Sequence, residues 1–477
     1  MTAPGSAAHE QTASAAQPGA GPAPPDVGGA EPGPAPGPQD LAGAEPETAP
    51  GRQDLAGAEP GTAPGPRDLA SADLDQVLVT ERALWLDGPP HELFTRLRGE
   101  CPVHWTARVS EYPGEAGFWS VTRAEDIHTV SRDWRTYSSE LGGVTAVTDV
   151  FPIELMRAMF IGMDPPKHDR LKVLFQAGFT PRRIAAHEPA IRKIVTDVLD
   201  RLEGRETCDL VNDVAQPVVS RVIGSFMGIP EEDDAIWARL MNTALAAGDP
   251  DLNPEGMQSI VANEIPEIFA RCSKMIAERR ENPTDDLTSV LVHAEIDGQK
   301  LEEHEIVMGF FLLVAAGNDS TKATYCSGMR ALMEHPAERR RLLDDPSLIP
   351  DAVEEALRMF PAFAHFRRTA TKETELAGQK ISEGDKVVMW YVSSNRDESR
   401  YEDPHRFDIT RDAEHQAFGA GGRHFCLGVA LARLELRVMV EETLRRYPGM
   451  EMAGPTTVVE SAFLNQLKTL PVRLEPR

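Results

Sequence analysis

The chain has 477 residues, 41% of them hydrophobic, and its 75 acidic and 49 basic side chains give a formal net charge of −26. This acidic balance argues against a nucleic-acid partner, which would need a basic surface, and most simply indicates solubility. The longest apolar run, residues 306–316, is about half of the roughly 20 residues that cross a bilayer, and no basic start precedes an apolar stretch as in an export signal. We therefore expect a cytoplasmic protein without a membrane anchor.

Residues 1–70 are rich in Pro, Gly and Ala, and a repeat that begins at Gln39 begins again at Gln53. Each repeat has too few large apolar residues to offset the conformational entropy lost on folding. We expect a disordered acidic tail over residues 1–70. A passive tail is the simpler interpretation, and a tether is the alternative.

From residue 71 onward the composition is globular, and most segments have helical periodicity. Residues 386–392 are rich in β-branched and aromatic side chains and predict a strand. The interpretation is one mainly α domain over residues 71–477 with small β-sheets, too large for a simple helical bundle. The predicted helices cover 189–202, 303–334, 348–359 and 427–447.

The longest helical pattern, 303–334, is nearly apolar up to Ala316. Gly317 and Asp319 then interrupt it, although a Gly in a helix costs about 1 kcal/mol and a buried acid costs more unless it is paired. Ala316 and Gly317 form a small face that a flat cofactor could approach. Ser320 and Asp319 offer a hydroxyl and a carboxylate for proton transfer. The alternative is a kinked core helix whose hydroxyls bond back to its own carbonyl groups.

Glu355 and Arg358 lie three residues apart on one face of the predicted helix 348–359. The apolar residues around them predict a buried pair, which would need a third partner, and Arg406 is the candidate. The alternative is an exposed pair that contributes little to stability.

A glycine-rich loop, 419–422, precedes Cys426, and an apolar helical stripe begins at Leu427. Cys426 therefore lies where a helix begins, and the N–H groups there stabilise a thiolate. Such a thiolate could bind a haem iron. The alternatives are a buried structural cysteine and a nucleotide-binding loop, which lacks the third glycine of GxGxxG. The other cysteines form no CxxC pair and are expected to pack as small apolar side chains.

A haem would bring two carboxylates that need cationic partners. His168 and Lys172 share a face of a predicted helix that begins after Pro165 and Pro166. His424, two residues before the cysteine, and Arg368 are further candidates. Each of them taken singly could also be an ordinary surface charge.

Four motifs together resemble the cytochrome P450 family: AGNDS at 316–320, EALR at 355–358, DPHRF at 403–407 and GRHFCLG at 422–428. They occur in the family's order, and the resemblance covers residue 71 to the end. It implies the cytochrome P450 fold, mainly α with a smaller β region. It also implies a b-type haem buried between the long helix 303–334 and the loop that contains Cys426, residues 417–428, here called the cysteine loop. It implies Cys426 as the iron ligand and a cofactor site made of His168, Lys172, Ala316, Gly317, Arg368, Phe418, His424, Cys426 and Gly428.

The resemblance also implies a monooxygenase of the soluble bacterial type, which inserts one atom of O2 into an apolar molecule. Electrons from NAD(P)H would arrive through a separate ferredoxin or flavodoxin and its reductase. Asp319, Ser320 and Thr321 are the catalytic candidates. One alternative is a peroxygenase that uses H2O2, and such members tend to have Arg-Pro where this chain has Asp319-Ser320. The other is a haem-binding sensor without turnover.

Three departures from the family pattern stand out: Ser320 where Thr is usual, with Thr321 a possible substitute; Lys172 where Arg is usual; and an additional residue between Phe418 and Cys426. The longer loop is similar to that of members that oxidise sterol side chains and methyl-branched lipids, as is the segment FLNQLKTLPV. This similarity points to a steroid-, terpenoid- or lipid-like substrate. Phe363, His365 and Phe463 are predicted to line the substrate pocket, and core packing is an equal alternative for the two phenylalanines.

Overall fold

A computed structural model describes residues 69–475 apart from 111, 147–152, 177, 247–248, 256–258, 297 and 413. The predicted acidic tail with its repeat therefore lies almost wholly outside the described residues. Within the described part of the chain, no helix is both long enough and apolar enough to cross a bilayer.

Helices dominate the described chain. Short 3-10 turns and two π-helical segments, Leu210–Ala215 and Ile260–Glu264, connect some of them. The α-helices are α1 (His91–Glu100), α2 (Ala124–Arg132), α3 (Ile153–Ala158), α4 (Lys167–Gln176), α5 (Pro181–Ala186), α6 (Glu188–Asp200), α7 (Gln216–Met227), α8 (Asp234–Leu245), α9 (Ile265–Glu281), α10 (Leu287–Val292), α11 (Glu303–Glu334), α12 (Pro336–Asp344), α13 (Ile349–Met359), α14 (Tyr391–Ser394) and α15 (Val429–Arg446).

The largest sheet has the strand order β1-β2-β10-β7-β3. In it β10 runs parallel to β2, with Val387 opposite Trp119, and antiparallel to β7, with Val388 opposite Arg367. Smaller sheets are β11-β14-β4, β12-β13, β5-β6 and β8-β9. The strands are β1 (Val103–Val109), β2 (Tyr112–Val121), β3 (Tyr137–Ser138), β4 (Thr207–Asp209), β5 (Glu295–Ile296), β6 (Gln299–Lys300), β7 (His365–Ala370), β8 (Thr374–Leu376), β9 (Gln379–Ile381), β10 (Lys386–Trp390), β11 (Glu451–Met452), β12 (Thr457–Val458), β13 (Leu467–Thr469) and β14 (Pro471–Arg473).

Helix α11 is the axis of the largest core cluster, and its bounds are those predicted from the apolar period. Glu302 and Glu305 form a capping box at its start, which satisfies backbone N–H groups that have no partner inside the helix. Phe310 and Tyr325 are fully buried in that cluster. The Tyr325 hydroxyl also lies 2.7 Å from the Thr443 hydroxyl, which ties α11 to α15, the helix that follows Cys426.

The other predicted elements are present with small shifts at their ends. Helices α6, α13 and α15 begin and end within two residues of the predicted bounds, and strand β10 ends two residues early because α14 follows at once. The fold is mainly α with small sheets, as predicted.

Candidate functional site

A cavity is lined by residues of α4, α7, α11, β7 and α15 and by the cysteine loop before α15. Most of its wall is apolar. Of the residues predicted for the site, it brings together His168, Lys172, Ala316, Gly317, Ser320, Thr321, Phe363, Arg368, Phe418, His424, Cys426 and Gly428.

The cysteine loop is held by backbone contacts at several points. The Cys426 N–H donates to the Phe418 carbonyl at 2.9 Å. Gly422 has a left-handed φ of 79°, and a Cβ there would lie 2.4 Å from the Ser131 carbonyl oxygen, so only glycine fits. Burial raises the pKa of the Cys426 thiol, whereas the Gly428 N–H and the nearby charges of Lys172 and Arg433 lower it. The N–H at the helix start predicted from sequence is therefore present beside the sulfur.

Phe418 lines the cavity from the start of this loop, and its ring contacts a charged cluster. The Arg433 guanidinium carbon lies 5.1 Å from the ring centroid, a cation–π contact. Arg433 in turn pairs with Glu354, and His415 lies 3.2 Å from the same carboxylate. Burial raises the pKa of Glu354, but hydrogen bonds from His415 and Arg433 outweigh it and hold that pKa at about 2. The additional loop residue thus leaves Phe418 at the cavity, fixed by Arg433.

Buried basic side chains cluster at one part of the cavity. The rings of His168 and His424 are 4.3 Å apart, and Arg368 acts electrostatically on His424. Burial lowers the pKa of each of these three groups, and the pKa of His424 falls well below its usual range. His168 Nε2 is buried, and the described residues offer it no hydrogen-bond partner. Two carboxylates of a bound group would satisfy that nitrogen and favour the charged forms of these side chains.

Lys172 lines the cavity as predicted, but its ammonium is bound to the cysteine loop. It donates to the carbonyl oxygens of Arg423 and Phe425, the latter at 2.8 Å. A lysine satisfies single carbonyl groups well, since it is a compact charge without the planar fork of arginine. Lys172 therefore supports the loop that carries Cys426 in addition to any contact with a cofactor.

The small residues Ala316 and Gly317 of α11 line the cavity as predicted, but the reason for Gly317 is different. A Cβ at Gly317 would lie 2.9 Å from side-chain carbons of Ile223 on α7. Gly317 is needed here for close packing of two helices, and its position at the cavity follows from that. The Ser320 hydroxyl donates to the Ala316 carbonyl at 2.9 Å, the back-bonding weighed as an alternative.

Asp319 was predicted to act beside Ser320, but the structure turns its carboxylate away. Within the described chain, Ser320 and Thr321 line the cavity and Asp319 does not. The Asp319 carboxylate is buried and forms an ion pair with Lys322 on the next turn of α11. Sequence reasoning missed Lys322, although a lysine three residues after a buried acid is a pairing signal.

Glu435 of α15 is a second residue that sequence reasoning missed. It lines the cavity, is buried, and has one carboxyl oxygen without a hydrogen-bond partner among the described residues. Burial raises its pKa to about 8, opposed by a hydrogen bond with Thr321. Glu435 lies inside the apolar stripe Leu431, Leu434 and Val438 of α15, and an acid in such a stripe was the available signal.

The ion pair of α13 is fully buried, but its third partner differs from the prediction. Arg358 binds Glu355 through Nε and Nη2 at 2.7 and 2.8 Å. Arg411 Nε lies 3.5 Å from Glu355, whereas the predicted partner Arg406 is 60% exposed and faces Asp408. The Arg406 backbone carbonyl does accept from Arg358. The prediction placed the correct loop against the pair but chose the wrong side chain.

The predicted substrate-pocket residues divide into two groups. Phe363 lines the cavity, and Phe463 packs behind it with ring centroids 5.1 Å apart. His365 faces away, because its Nδ1 lies 2.8 Å from the Ala462 carbonyl and its Nε2 accepts from the Ala146 N–H. Phe366, which was not predicted, lines the cavity. Side chains alternate along β7, so Phe366 shares the cavity face with Arg368, and His365 lies on the other face.

A haem fits this donor set. Cys426 at a helix start offers a thiolate, and the unpartnered His168 nitrogen with Arg368 and His424 offers partners for two carboxylates. Ala316 lines the same cavity with a small side chain.

A family model described as Cytochrome P450 matches residues 253–452. The methyl-branched lipid omega-hydroxylase of Mycobacterium tuberculosis is 37% identical over 390 residues, 80% of this chain and 90% of that protein. Linalool 8-monooxygenase of Pseudomonas putida is 34% identical over 409 residues, 83% of this chain and 98% of that protein. A solved structure of a Mycobacterium marinum cytochrome P450 in complex with pseudoionone is 36% identical, with a TM-score of 0.78, and covers 85% of this chain and 100% of that chain. The cavity, its cysteine loop and these similarities lead to one conclusion: the chain belongs to the cytochrome P450 family and is a haem b monooxygenase.

Proposed function

We propose that this monooxygenase hydroxylates a neutral, apolar molecule of the terpenoid, steroid or branched-lipid type. The observation that carries the proposal is the apolar part of the cavity wall. In the described chain that part of the wall is aliphatic and aromatic: Phe160, Ile161, Phe179, Val222, Ile223, Leu312, Leu313, Ala362, Phe363 and Phe366. Such a wall favours the binding of an apolar substrate surface. It offers no ionic partner to a charged substrate group, whose burial would therefore be unfavourable.

The names of the relatives agree with an apolar substrate. They are a hydroxylase of methyl-branched lipids, a monooxygenase of linalool and a cytochrome P450 in complex with pseudoionone. The substrates of these proteins differ from one another, so they support the class of substrate and no single compound.

The residues of this chain have distinct roles in the proposal. Cys426 would hold the haem iron through its thiolate, and the Gly428 N–H hydrogen-bonds its sulfur. His168, Arg368 and His424 would hold the two carboxylates of the haem. Haem b, when bound, supplies the activation of O2. Ser320 and Thr321 face the cavity and pass protons there, while Asp319 connects them to the polar interior behind α11.

Electrons come, we propose, from NAD(P)H through a ferredoxin or flavodoxin with its reductase. The side chain of Phe425 on the cysteine loop is 40% exposed, and Arg423 on the same loop is also exposed. An apolar side chain with a neighbouring cation suits contact with an acidic electron carrier.

A spectral-shift screen tests the substrate class. The ferric enzyme is titrated with linalool, pseudoionone, a steroid, a fatty acid and the methyl ester of that fatty acid. We expect neutral compounds to shift the Soret band at concentrations at least tenfold lower than the fatty-acid anion. Tighter binding of the anion than of its ester would contradict the proposal. Compounds that bind are then tested for product with NADH, a ferredoxin and its reductase.

The role of Cys426 as the iron ligand is tested separately. Cys426→Ser should abolish the thiolate-type spectrum of the reduced CO complex, while Cys326→Ser, at a buried cysteine of α11, should retain it. Persistence of that spectrum in Cys426→Ser would refute the assignment.

A further inference from the structure

A buried polar cluster lies behind the cavity face of α11, and Lys322 is at its centre. The Lys322 ammonium contacts the Asp319 carboxylate, Gln216 Oε1 at 2.8 Å and Asn242 Oδ1 at 2.8 Å. The side chains of Lys322 and Asp319 are 6% and 2% exposed. An ammonium has three N–H donors; the amide oxygens of α7 and α8 accept two of them, and the Asp319 carboxylate of α11 is its ion-pair partner.

The amide side chains are fixed by further hydrogen bonds. Asn242 Nδ2 donates to Gln216 Oε1 at 3.0 Å, and Gln216 Nε2 donates to Ser220 at 2.9 Å and to Asn318 at 3.1 Å. These bonds determine that both amide oxygens point at Lys322. The cluster is therefore built as a cation site, and its one charged acceptor is Asp319.

The position of Asp319 gives this cluster its importance. Asp319 directly precedes Ser320, which lines the cavity, yet Lys322 holds the carboxylate on the other side of the helix. The acceptors around Lys322 are all side chains, which exchange partners by changing rotamer without moving the backbone. The pair therefore stands between the polar interior and the hydroxyl groups at the cavity.

We infer that Lys322 is a positioning residue for oxygen activation: its ion pair holds the Asp319 carboxylate turned away from the cavity, and it thereby controls proton supply to Ser320 and Thr321. The inference rests on the proposed function, in which Asp319 carries protons. Without Lys322, a buried carboxylate that has lost its cation takes up a proton and keeps it. Proton delivery through Asp319 then slows. O2 that has taken up two electrons receives its two protons from solvent instead and leaves as hydrogen peroxide, so fewer oxygen atoms enter product.

The test compares Lys322→Met with Lys322→Arg, which retains the charge. With NADH, ferredoxin, reductase and pseudoionone as the probe, we expect product per NADH to fall at least threefold in Lys322→Met, hydrogen peroxide to rise, and Lys322→Arg to restore most of the loss. The matched control is Lys193→Met, which removes a lysine from the exposed helical pair Lys193–Asp197. It should leave product per NADH unchanged.

A second measurement needs no substrate. In the infrared spectrum of the ferric enzyme, wild type has the protonated carboxyl of Glu435, whose pKa is about 8. Lys322→Met should gain an additional protonated-carboxyl band, which wild type lacks and which Asp319→Asn/Lys322→Met should lose. If wild type does not oxidise pseudoionone, the substrate proposal is weakened, and the infrared band decides the inference on Lys322. Absence of the band from Lys322→Met would overturn the inference.

The double variant Asp319→Asn/Lys322→Met removes both charges and leaves no unpaired buried charge. It is therefore expected to fold even if Lys322→Met alone does not. We expect it to couple NADH to product as Asp319→Asn does alone, because Lys322 acts through Asp319. The inference would be overturned if Lys322→Met lowered product per NADH as much in the Asp319→Asn background as in wild type, because Lys322 would then act independently of Asp319.

Discussion

Helices α11 and α13 each contain a buried acid and a cation three residues later, and the two pairs are built differently. Glu355 and Arg358 are both 0% exposed and share two hydrogen bonds. Arg358 also donates to the backbone carbonyls of Asn395 and Pro404 at 2.7 and 2.9 Å. Asp319 and Lys322 have one ion-pair contact, and the other acceptors of Lys322 are side-chain amides.

The difference separates a structural pair from an exchangeable one. Backbone acceptors move only when the loops that carry them move, and the planar fork of arginine fits several of them at once. Side-chain acceptors around a lysine rearrange at lower energy. We therefore assign Glu355–Arg358 to maintenance of the fold beside the cysteine loop, and Asp319–Lys322 to control of chemistry.

Replacing each cation by the other type tests whether the two pairs differ in their contribution to stability. Arg358→Lys keeps the charge but loses most of the donors, and we expect the free energy of unfolding to fall by about 3–5 kcal/mol. Lys322→Arg should lower it by no more than about 1 kcal/mol. Urea unfolding of the haem-loaded proteins measures both changes.

Arg340→Lys, at an exposed arginine of α12, is the matched control for the first substitution, and it should leave stability unchanged within about 0.5 kcal/mol. Equal losses of unfolding free energy in Arg358→Lys and Lys322→Arg would show that the two pairs contribute to stability in the same way.

Glu435 sharpens the comparison, because it is a buried acid with no cation. Burial raises its pKa to about 8, against 4.5 for the ordinary group. The unfolded chain therefore loses this proton above about pH 4.5, while the folded protein retains it up to about pH 8. Glu435 consequently makes the protein less stable as pH rises through this window.

Glu435→Gln should remove that loss. We expect the variant to exceed wild type in stability at pH 8 by on the order of 3 kcal/mol, and to differ little at pH 5. Thermal unfolding at the two pH values measures this, with Glu334→Gln, at an exposed carboxylate, as the control for the loss of one charge. A gain of the same size at both pH values would contradict the raised pKa.

Regular elements were predictable from the sequence because their signals are local. The apolar period gave α11 its bounds, and the three-residue spacing with apolar neighbours predicted the buried pair Glu355–Arg358. Errors arose where side-chain direction depends on other elements. His365 and Phe366 are adjacent on β7, and only the strand's alternation relative to Arg368 decides which one faces the cavity.

The same limit applies to the direction of Asp319. Sequence predicts an acid beside Ser320, but Lys322 and the amides of α7 and α8 determine where its carboxylate points. Those amides, of Asn242 and Gln216, are 80 and 106 residues away from Lys322 along the chain. No local pattern indicates such a contact.

The smallest expected effect concerns the third partner of the structural pair. Arg411 is 14% exposed, lies 3.5 Å from Glu355, and donates to the Glu402 carbonyl at 2.8 Å. Its distance from Glu355 exceeds that of a strong hydrogen bond, so Arg411→Gln should lower the free energy of unfolding by about 1 kcal/mol. Arg406→Gln, at a side chain 60% exposed, should change it by less than about 0.5 kcal/mol. A larger loss from Arg406→Gln than from Arg411→Gln would restore the partner predicted from sequence. The expected order would show that Arg358, with its two bonds to Glu355 and its backbone acceptors, already satisfies most of the pair without a third charge.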